Sequence, residues 1–583
     1  MDRYKKDTIL DDMKITPNSL ELLQARYLLR DDKGNIVETP QELFGRVAKH
    51  VASVENGNRT AWGQAFYDLM VNFHFLPNSP TLMNAGLPQG QLSACFVLPV
   101  EDSLDGIFST LRHTALIHQN GGGTGYNFSK LRPHGDSIVS SGGTSSGPIA
   151  FIKIYNTATE YVKQGGKRRG ANMGILNVDH PDIEAFILAK SEGNTIQNFN
   201  LSVGITDDFM KAVSANADWN LINPRTRKAI KTIKAKTLWE LIIAEAWKTG
   251  DPGLIFLDTI NKHNPLPNQG IIQSTNPCGE VPLLEYESCN LGSLNLSKML
   301  KLEMGKREVD WDMLEKTIEA SMRFLDNVIS ANHYLMPQIE ARTKNARKVG
   351  LGVMGWAEML ARLEIPYASE EAVSLGEEIM RFIQSKSYAV SESLAEERGT
   401  FPHWSESIFH PSRSMRNATC NSIAPTGSIS IIADTSYSIE PLYAIAYRRV
   451  GIMGNKTQTE VNPVFVESME TLGQWTDKLK EDVLETGSVQ QLETVPKELK
   501  KLFETSLEIP WQYHLRHQQA FQKYTDNAVS KTINLSKETP VETVSEIYWT
   551  AWKYGLKGIT IYRDGSKADQ VLQACRLNRS SNC

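Results

Sequence analysis

The apolar positions along this chain fall into several distinct textures. Up to about residue 76 they recur at helical spacing. Leu20, Leu22, Leu23 and Tyr27 form one stripe, and Phe44, Val47 and Val51 another; that period predicts small packed helices. The segment Pro77-Asn78-Ser79-Pro80-Thr81 breaks the pattern, because proline disrupts a helix interior. From about 85 to 205, short apolar runs such as 94–100 and 174–178 alternate with glycine-rich loops at 121–125, 142–148 and 165–170. Such alternation predicts α/β architecture with functional loops. Farther along, Leu314, Ile318, Met322, Leu325 and Ile329 make one helical stripe. Ile379, Phe382, Ile383 and Tyr388 make a second, which Gly399 is placed to stop,. Both predict helices that cover a barrel. The runs 428–433 and 558–562 predict buried strands,. Residues 466–510 are charged and predict a surface insertion, and the polar stretch after Asp564 predicts a mobile tail,.

Composition narrows the class. At 583 residues the chain is long enough for a large α/β barrel with appendages,. A hydrophobic share of 41% beside 22% charged residues is that of a globular protein,. The net charge of −5 argues against a general nucleic-acid binder,. No apolar run reaches membrane-span length, and the first residues lack the apolar core of a signal peptide,. The cytoplasm is therefore the expected compartment. The six cysteines, Cys95, Cys278, Cys289, Cys420, Cys575 and Cys583, are too sparse for a disulfide scaffold,. Any bond among them in a reducing compartment is expected to be transient.

The most informative chemistry is Asn276-Pro277-Cys278-Gly279-Glu280, followed by Cys289. Pro and Gly around a cysteine favour a tight, exposed bend. If the segment is extended, Cys278 and Glu280 point to one side and address one substrate together. Cys95 lies in an apolar run, 92–98, and by itself reads as an ordinary core position on a strand. The stretch Ala424-Pro425-Thr426-Gly427-Ser428-Ile429-Ser430 could present backbone N–H groups to a phosphate, although a plain turn fits as well,. Lys167, Arg168 and Arg169 concentrate charge in a glycine-rich loop ending near Asn172, suited to a nucleotide triphosphate,. The run 121–125 does not form a dinucleotide-binding fingerprint,. His514 and His517, three apart, read as an exposed helix face rather than a metal site, and neither CxxC nor HExxH occurs, so no protein-held metal is expected,.

Taken in order, these segments resemble the catalytic subunit of ribonucleotide reductase, and specifically its class II, adenosylcobalamin-dependent type. The resemblance runs from about Pro77 to about Lys567. It rests chiefly on 276–280 with Cys289 and on Ser93-Ala94-Cys95, supported by 77–84, 128–133, 164–172, 424–430 and 558–565. It implies an α/β fold: a ten-stranded barrel of two five-stranded halves over 77–563, with a central finger loop near 276–290. A small N-terminal helical domain over 1–76 and a flexible tail over 564–583 complete it. The N-terminal part looks too short for the ATP-binding regulatory domain that often opens the family.

The resemblance also implies roles. Cys278 would become the thiyl radical that takes the ribose 3′ hydrogen, inside a closed cavity. Glu280 would act as base on the 3′ hydroxyl, with its pKa tuned toward neutrality by burial, and Asn276 would hydrogen-bond the substrate. Cys95 and Cys289 would give up electrons as the 2′ hydroxyl leaves as water. Ser79, Thr81, Ala94, Pro425, Thr426, Gly427, Ser428 and Ile429 would contact a ribonucleoside di- or triphosphate. Lys167, Arg168, Arg169 and Asn172 would contact a deoxynucleotide effector, together with the loop 191–200. Cys575 and Cys583 would shuttle electrons from a thioredoxin-like or other dithiol reductant. A homodimer without nucleic-acid or membrane partners is expected. Class I relatives pass a radical through two adjacent tyrosines near the C-terminus. Here Thr560 and Ile561 stand in that place and only Tyr562 is aromatic, which favours adenosylcobalamin as cofactor. A class I subunit and a non-catalytic nucleotide-binding relative remain the alternatives.

Overall fold

A computed structural model describes residues 13, 15–138, 142–164, 168–191, 196–450 and 457–566. Three short helices open it: α1 (Pro17–Arg26), α2 (Pro40–Ala52) and α3 (Arg59–Val71). Thr39 and Glu42 cap α2 reciprocally, and Pro40 occupies its first turn, where a missing N–H costs nothing,. Phe44, Val47 and Val51 are fully buried as the stripe predicted. They share one apolar core with residues far along the chain, Leu314, Ile318 and Phe324 among them. The helical segment therefore has no core of its own and is sealed onto the rest of the molecule.

The main sheet has ten strands: β1 (Phe75–Pro77), β2 (Cys95–Val97), β3 (Gly123–Asn127), β4 (Asn172–Asn177), β5 (Phe199–Ile205), β6 (Gly253–Phe256), β7 (Ser288–Asn295), β8 (Val349–Met354), β9 (Thr532–Leu535) and β10 (Gly558–Arg563). Strands β2 to β6 run parallel in sequence order. So do β7 with β8, and β9 with β10. Parallel bridges from Leu351 to Asn421 and from Ile423 to Val529 carry the second set across residues 421–423. The two sets meet antiparallel at β2–β7 and at β6–β10. The result is the expected barrel of two five-membered parallel halves, with β1 added antiparallel on β7. Strands β7 and β8 are buried at every position, as parallel strands covered on both faces must be.

Helix α4 (Trp311–Ala331) packs its predicted stripe on this wall, with all five stripe residues buried. Helix α5 (Glu370–Arg398) lies against it and stops at Gly399, whose φ of 82° suits glycine,. The fold corrects three readings. Residues 428–433 are not a strand; Gly427–Ile432 is a short helix. A brief apolar run carries too few residues for its period to separate the two. The region 466–510 is no mere surface insertion, since Val464, Phe465, Met469, Leu479, Val483 and Phe503 close a satellite core there. His514 and His517, on α6 (Trp511–Gln522), are buried rather than exposed. Their ring nitrogens meet the carbonyl oxygens of Ser506 and Tyr367, which replaces the water their apolar helix face excludes. Burial holds both imidazoles below their ordinary pKa, His517 at about 3.

The segment 274–283 forms a hairpin of two-residue strands, Ser274–Thr275 paired with Pro282–Leu283. It lies against β3, and there glycine is obligatory. A Cβ on Gly125 would sit 1.7 Å from the Thr275 carbonyl oxygen, and one on Gly123 would sit 2.7 Å from the Pro277 ring. The glycine-rich run 121–125 thus serves close approach of backbone to backbone, which only a missing side chain allows.

A buried ionic network ties the helical segment to the barrel. Glu55, between α2 and α3, accepts from Arg323 at 2.7 Å and from Arg398 at 2.7 Å. Asp326, wholly buried, accepts from Arg347 at 2.7 Å and faces Arg398 and Arg416 at 3.4 Å. Together with Asn327, the two guanidinium groups beside Glu55 hold its carboxyl at about 2, against an ordinary value of 4.5, despite its burial. A depressed carboxyl pKa stabilises the fold above the unfolded value and loses that contribution as pH falls through the folded one. Glu55→Gln should therefore cost about 3 kcal/mol near neutrality. The gap in melting temperature to the parent should narrow between pH 4.5 and 2. Gly125→Ala should cost roughly 3 kcal/mol, lower the melting temperature and alter the alkylation rate of Cys278, because the hairpin must shift.

Candidate active site

The tip of the hairpin is a β-turn. Gly279 N–H donates to the Asn276 carbonyl at 3.1 Å, so Pro277 and Cys278 are its two central residues. Pro at the second position and Gly at the fourth are what a type I turn prefers. Gly279 itself has φ 83°. The segment is therefore not extended, and the alternation that would aim Cys278 and Glu280 to one side does not apply. Cys278 is exposed, onto a cavity of about 540 Å³. Glu280 is buried, and its carbonyl is held by Ala528 N–H and the Ser422 hydroxyl, both at 2.8 Å. Among the described residues, the seclusion expected for Cys278 is thus not complete.

Cys95 and Cys289 are direct register partners across the antiparallel β2–β7 seam. Opposed residues in such a pair have Cα atoms about 4.5–5.5 Å apart, inside the range a disulfide needs. Both are reduced thiols here and almost fully buried. Burial pushes the Cys289 thiol well up, with the Lys348 ammonium opposing that shift and the Glu287 and Glu280 carboxylates adding to it. Asn276 Nδ2 donates to Cys95 Sγ at 3.2 Å, while its Oδ1 accepts from Val281 N–H at 3.0 Å. The sequence could not place Cys95 beside Cys289; the seam between the half-barrels does so.

The candidate phosphate stretch adjoins this centre. Ala94 and Ala424 pack on the apolar cluster formed by Cys95, Cys289, Val97 and Leu291. Thr426 takes a left-handed φ of 57° before the short helix and bonds Ser430 and Ser438. Gly427 and Ser428 remain accessible, Ile429 is buried and Pro425 lines the 540 Å³ cavity. Ser79 shares a hydrogen bond with Tyr27 at 2.8 Å. Thr81 departs from its expected role. It is wholly buried, and its hydroxyl donates to the Leu92 carbonyl at 3.0 Å, so it shapes the wall and does not face a ligand.

The effector residues divide. Lys167 lies outside the described residues, as do 192–195 and both tail cysteines, Cys575 and Cys583. Arg168 and Arg169 form a two-residue strand against Lys163 and Gln164. Asn172 is fully buried on β4. Its Oδ1 accepts from Thr124, and its Nδ2 donates to Thr159 and to the Asn198 carbonyl. That amide is used up in joining strands and offers nothing to a ligand.

Further residues of the cavity escape a reading of the sequence. Lys531, fully buried, pairs with Glu440 and contacts His514 Nδ1 at 2.9 Å. Lys531 and Glu440 both line the cavity, with Asn200, Ser202, Gly253, Tyr443, Thr560 and Tyr562. One signal exists. Val529, Lys531, Ile533 and Leu535 alternate as the inward phase of a strand, and a lysine in an apolar phase requires a built partner.

Comparison with known proteins gives the same picture. The family model for the ribonucleotide reductase barrel domain matches residues 93–413 and 411–562, and that for the all-alpha domain matches 13–90. A vitamin B12-dependent ribonucleoside-diphosphate reductase of Thermoplasma acidophilum is 47% identical, over 97% of this chain and 81% of that protein. One of the same description from Mycobacterium tuberculosis is 48% identical, over 97% of this chain and 82% of that protein. The Actinobacillus ureae class Id ribonucleotide reductase alpha subunit superposes with a TM-score of 0.77 at 27% identity, covering 94% of this chain and 97% of that one. With a barrel of two antiparallel halves, a cysteine at the tip of an internal hairpin and a cysteine pair on the seam beside it, the chain belongs to the ribonucleotide reductase family.

Proposed function

We propose that this chain reduces ribonucleoside diphosphates to their 2′-deoxy forms as a class II enzyme, with adenosylcobalamin as cofactor. The observation that carries the reading is the register pairing of Cys95 with Cys289 next to the turn that holds Cys278 and Glu280. The diphosphate preference rests on the descriptions of the two B12-dependent relatives.

The cavity beside Cys278 suits the cofactor in character. Its wall mixes small groups, Ser202, Gly250, Gly253, Gly558 and Thr560, with three tyrosines, Tyr437, Tyr443 and Tyr562, and no histidine stands among the described lining residues. Ser202, Gly253, Thr560 and Tyr562 would hold the cofactor. When bound, adenosylcobalamin supplies the radical chemistry that no side chain can start unaided.

The residues then divide the work. Cys278, as thiyl, takes the 3′ hydrogen atom, and Glu280 takes the 3′-hydroxyl proton. The 2′ hydroxyl leaves as water, and Cys95 and Cys289 furnish two electrons and two protons, ending as a disulfide. Cys278 finally returns its hydrogen atom to C3′. Asn276 fixes the turn through Val281 and directs its amide toward the reacting face. Backbone N–H groups around Thr426 to Ser428 face the substrate phosphates. Residues 164–172 bear a deoxynucleotide effector through Arg168 and Arg169 at a homodimer contact. An external dithiol, acting directly or through Cys575 and Cys583, resets the pair in the reducing cytoplasm.

Anaerobic turnover of ribonucleoside diphosphates by the single polypeptide, with adenosylcobalamin and dithiothreitol, tests the reading. Product should form without a second protein; a requirement for a separate metal-containing subunit would move the chain to class I, and effector binding without any turnover would make it a non-catalytic relative. Cys278→Ala should bind nucleotide with unchanged affinity while product falls below detection. Normal turnover by that variant would exclude a thiyl at this position.

A further inference from the structure

Charge on the strand beside the thiol pair has no part in the scheme so far. Glu287 and Lys348 form an ion pair at 2.6 Å in which both side chains are almost completely buried, 3% and 2% exposed. Buried pairs of this kind rarely stabilise a fold more than apolar residues of the same volume would, so stability does not account for it. Its position is specific. Glu287 lies two residues before Cys289, directly ahead of β7. Parallel register pairs Asn290 with Val349; extended by one residue, it brings Lys348, just ahead of β8, across from Cys289. Lys348, Glu287 and Glu280 are the charged groups that act on the Cys289 thiol. The Glu287 carboxylate also accepts from Leu284 N–H at 2.7 Å, which fixes the pair in place.

We propose that Lys348 is a positioning residue that sets the direction of disulfide reduction, by stabilising Cys289 as the departing thiolate. The inference rests on the reading of Cys95 and Cys289 as the redox pair. An external thiolate attacks Cys95 Sγ, and the bond between Cys95 and Cys289 breaks. A mixed disulfide forms on Cys95, and Cys289 leaves with the electron pair beside the Lys348 ammonium, then takes a proton. The second thiol of the dithiol attacks its own sulfur in the mixed disulfide and releases Cys95. The reductant ends as a disulfide and the protein pair as two thiols. A better-stabilised leaving thiolate leaves faster. With Cys289, Glu287 and Lys348 this deeply buried, one ammonium matters more than it would at the surface. With Lys348 gone, Glu287 and Glu280 would face the forming thiolate uncompensated. With Glu287 gone, Lys348 would act unopposed.

The test uses the full chain, oxidised by anaerobic turnover without reductant and then mixed with dithiothreitol. Mass mapping first establishes whether the bond between Cys95 and Cys289 has formed; its absence would sink the redox-pair reading itself. With the bond present, Lys348→Met should reduce roughly tenfold more slowly than the parent. Lys348→Arg should restore most of the rate, Glu287→Gln should reduce faster, and the double variant Lys348→Met with Glu287→Gln should fall near the parent. Equal rates across the set would overturn the inference while leaving the redox pair intact. Should the variants fail to fold, the parent protein decides the matter. Brief treatment of its oxidised form with a monothiol should place the mixed disulfide on Cys95, and a label on Cys289 would refute the assignment.

Discussion

Everything chemical in this molecule depends on one close approach of backbone to backbone. The hairpin carrying Cys278 reaches the barrel interior only because β3 offers glycine where it passes, with no space for a methyl group at Gly125. A barrel this size would otherwise fill its centre with side chains. Here part of that volume is given to a hairpin whose tip is fixed by a proline, a glycine and the Asn276 side chain. A turn on strands, braced at its base, holds a reacting atom more firmly than a free loop can.

The antiparallel seams complete the arrangement. Within each half, strands run parallel and neighbours in space are neighbours in sequence. At the two seams the half-barrels lie directly opposed. Cys95 and Cys289 occupy one seam. Strands β6 and β10, which contribute Gly253 and Thr560 to the cavity wall, occupy the other. The two-half architecture therefore brings the Cys95 and Cys289 thiols and the open face of the cavity to the same interior.

Much of this is legible in the residues, for reasons that differ from place to place. The stripes on α2, α4 and α5 are long enough for their period to be decisive, and their caps and stops are local chemistry. The turn at Asn276 is legible because proline and glycine fix backbone angles wherever they occur. The pairing of Cys95 with Cys289 is not, since register across a seam is set by the whole barrel; resemblance to a family suggests it. The short run after Thr426 has the look of a strand and is a helix, because one and a half turns carry too little periodicity. His514 and His517 look exposed from sequence, since polarity alone does not reveal that carbonyl oxygens of Ser506 and Tyr367 will satisfy them. Lys531 shows only as a lysine in an apolar alternation, which calls for a partner without naming Glu440; Glu287 and Lys348 give no sign of their pairing, because a buried ion pair between distant segments leaves no mark until the fold is in place.

The seam has a mechanical side as well. Residues 95 and 289 are 194 positions apart and belong to opposite half-barrels. A covalent link there closes a very long loop and, on chain entropy, adds about 5 kcal/mol against unfolding. On the proposed cycle, the spent form of the protein, welded across its two halves, would then be the sturdier one. Each reset by a reductant would return the molecule to a looser state, so that readiness to work and resistance to heat would be held by opposite ends of that cycle.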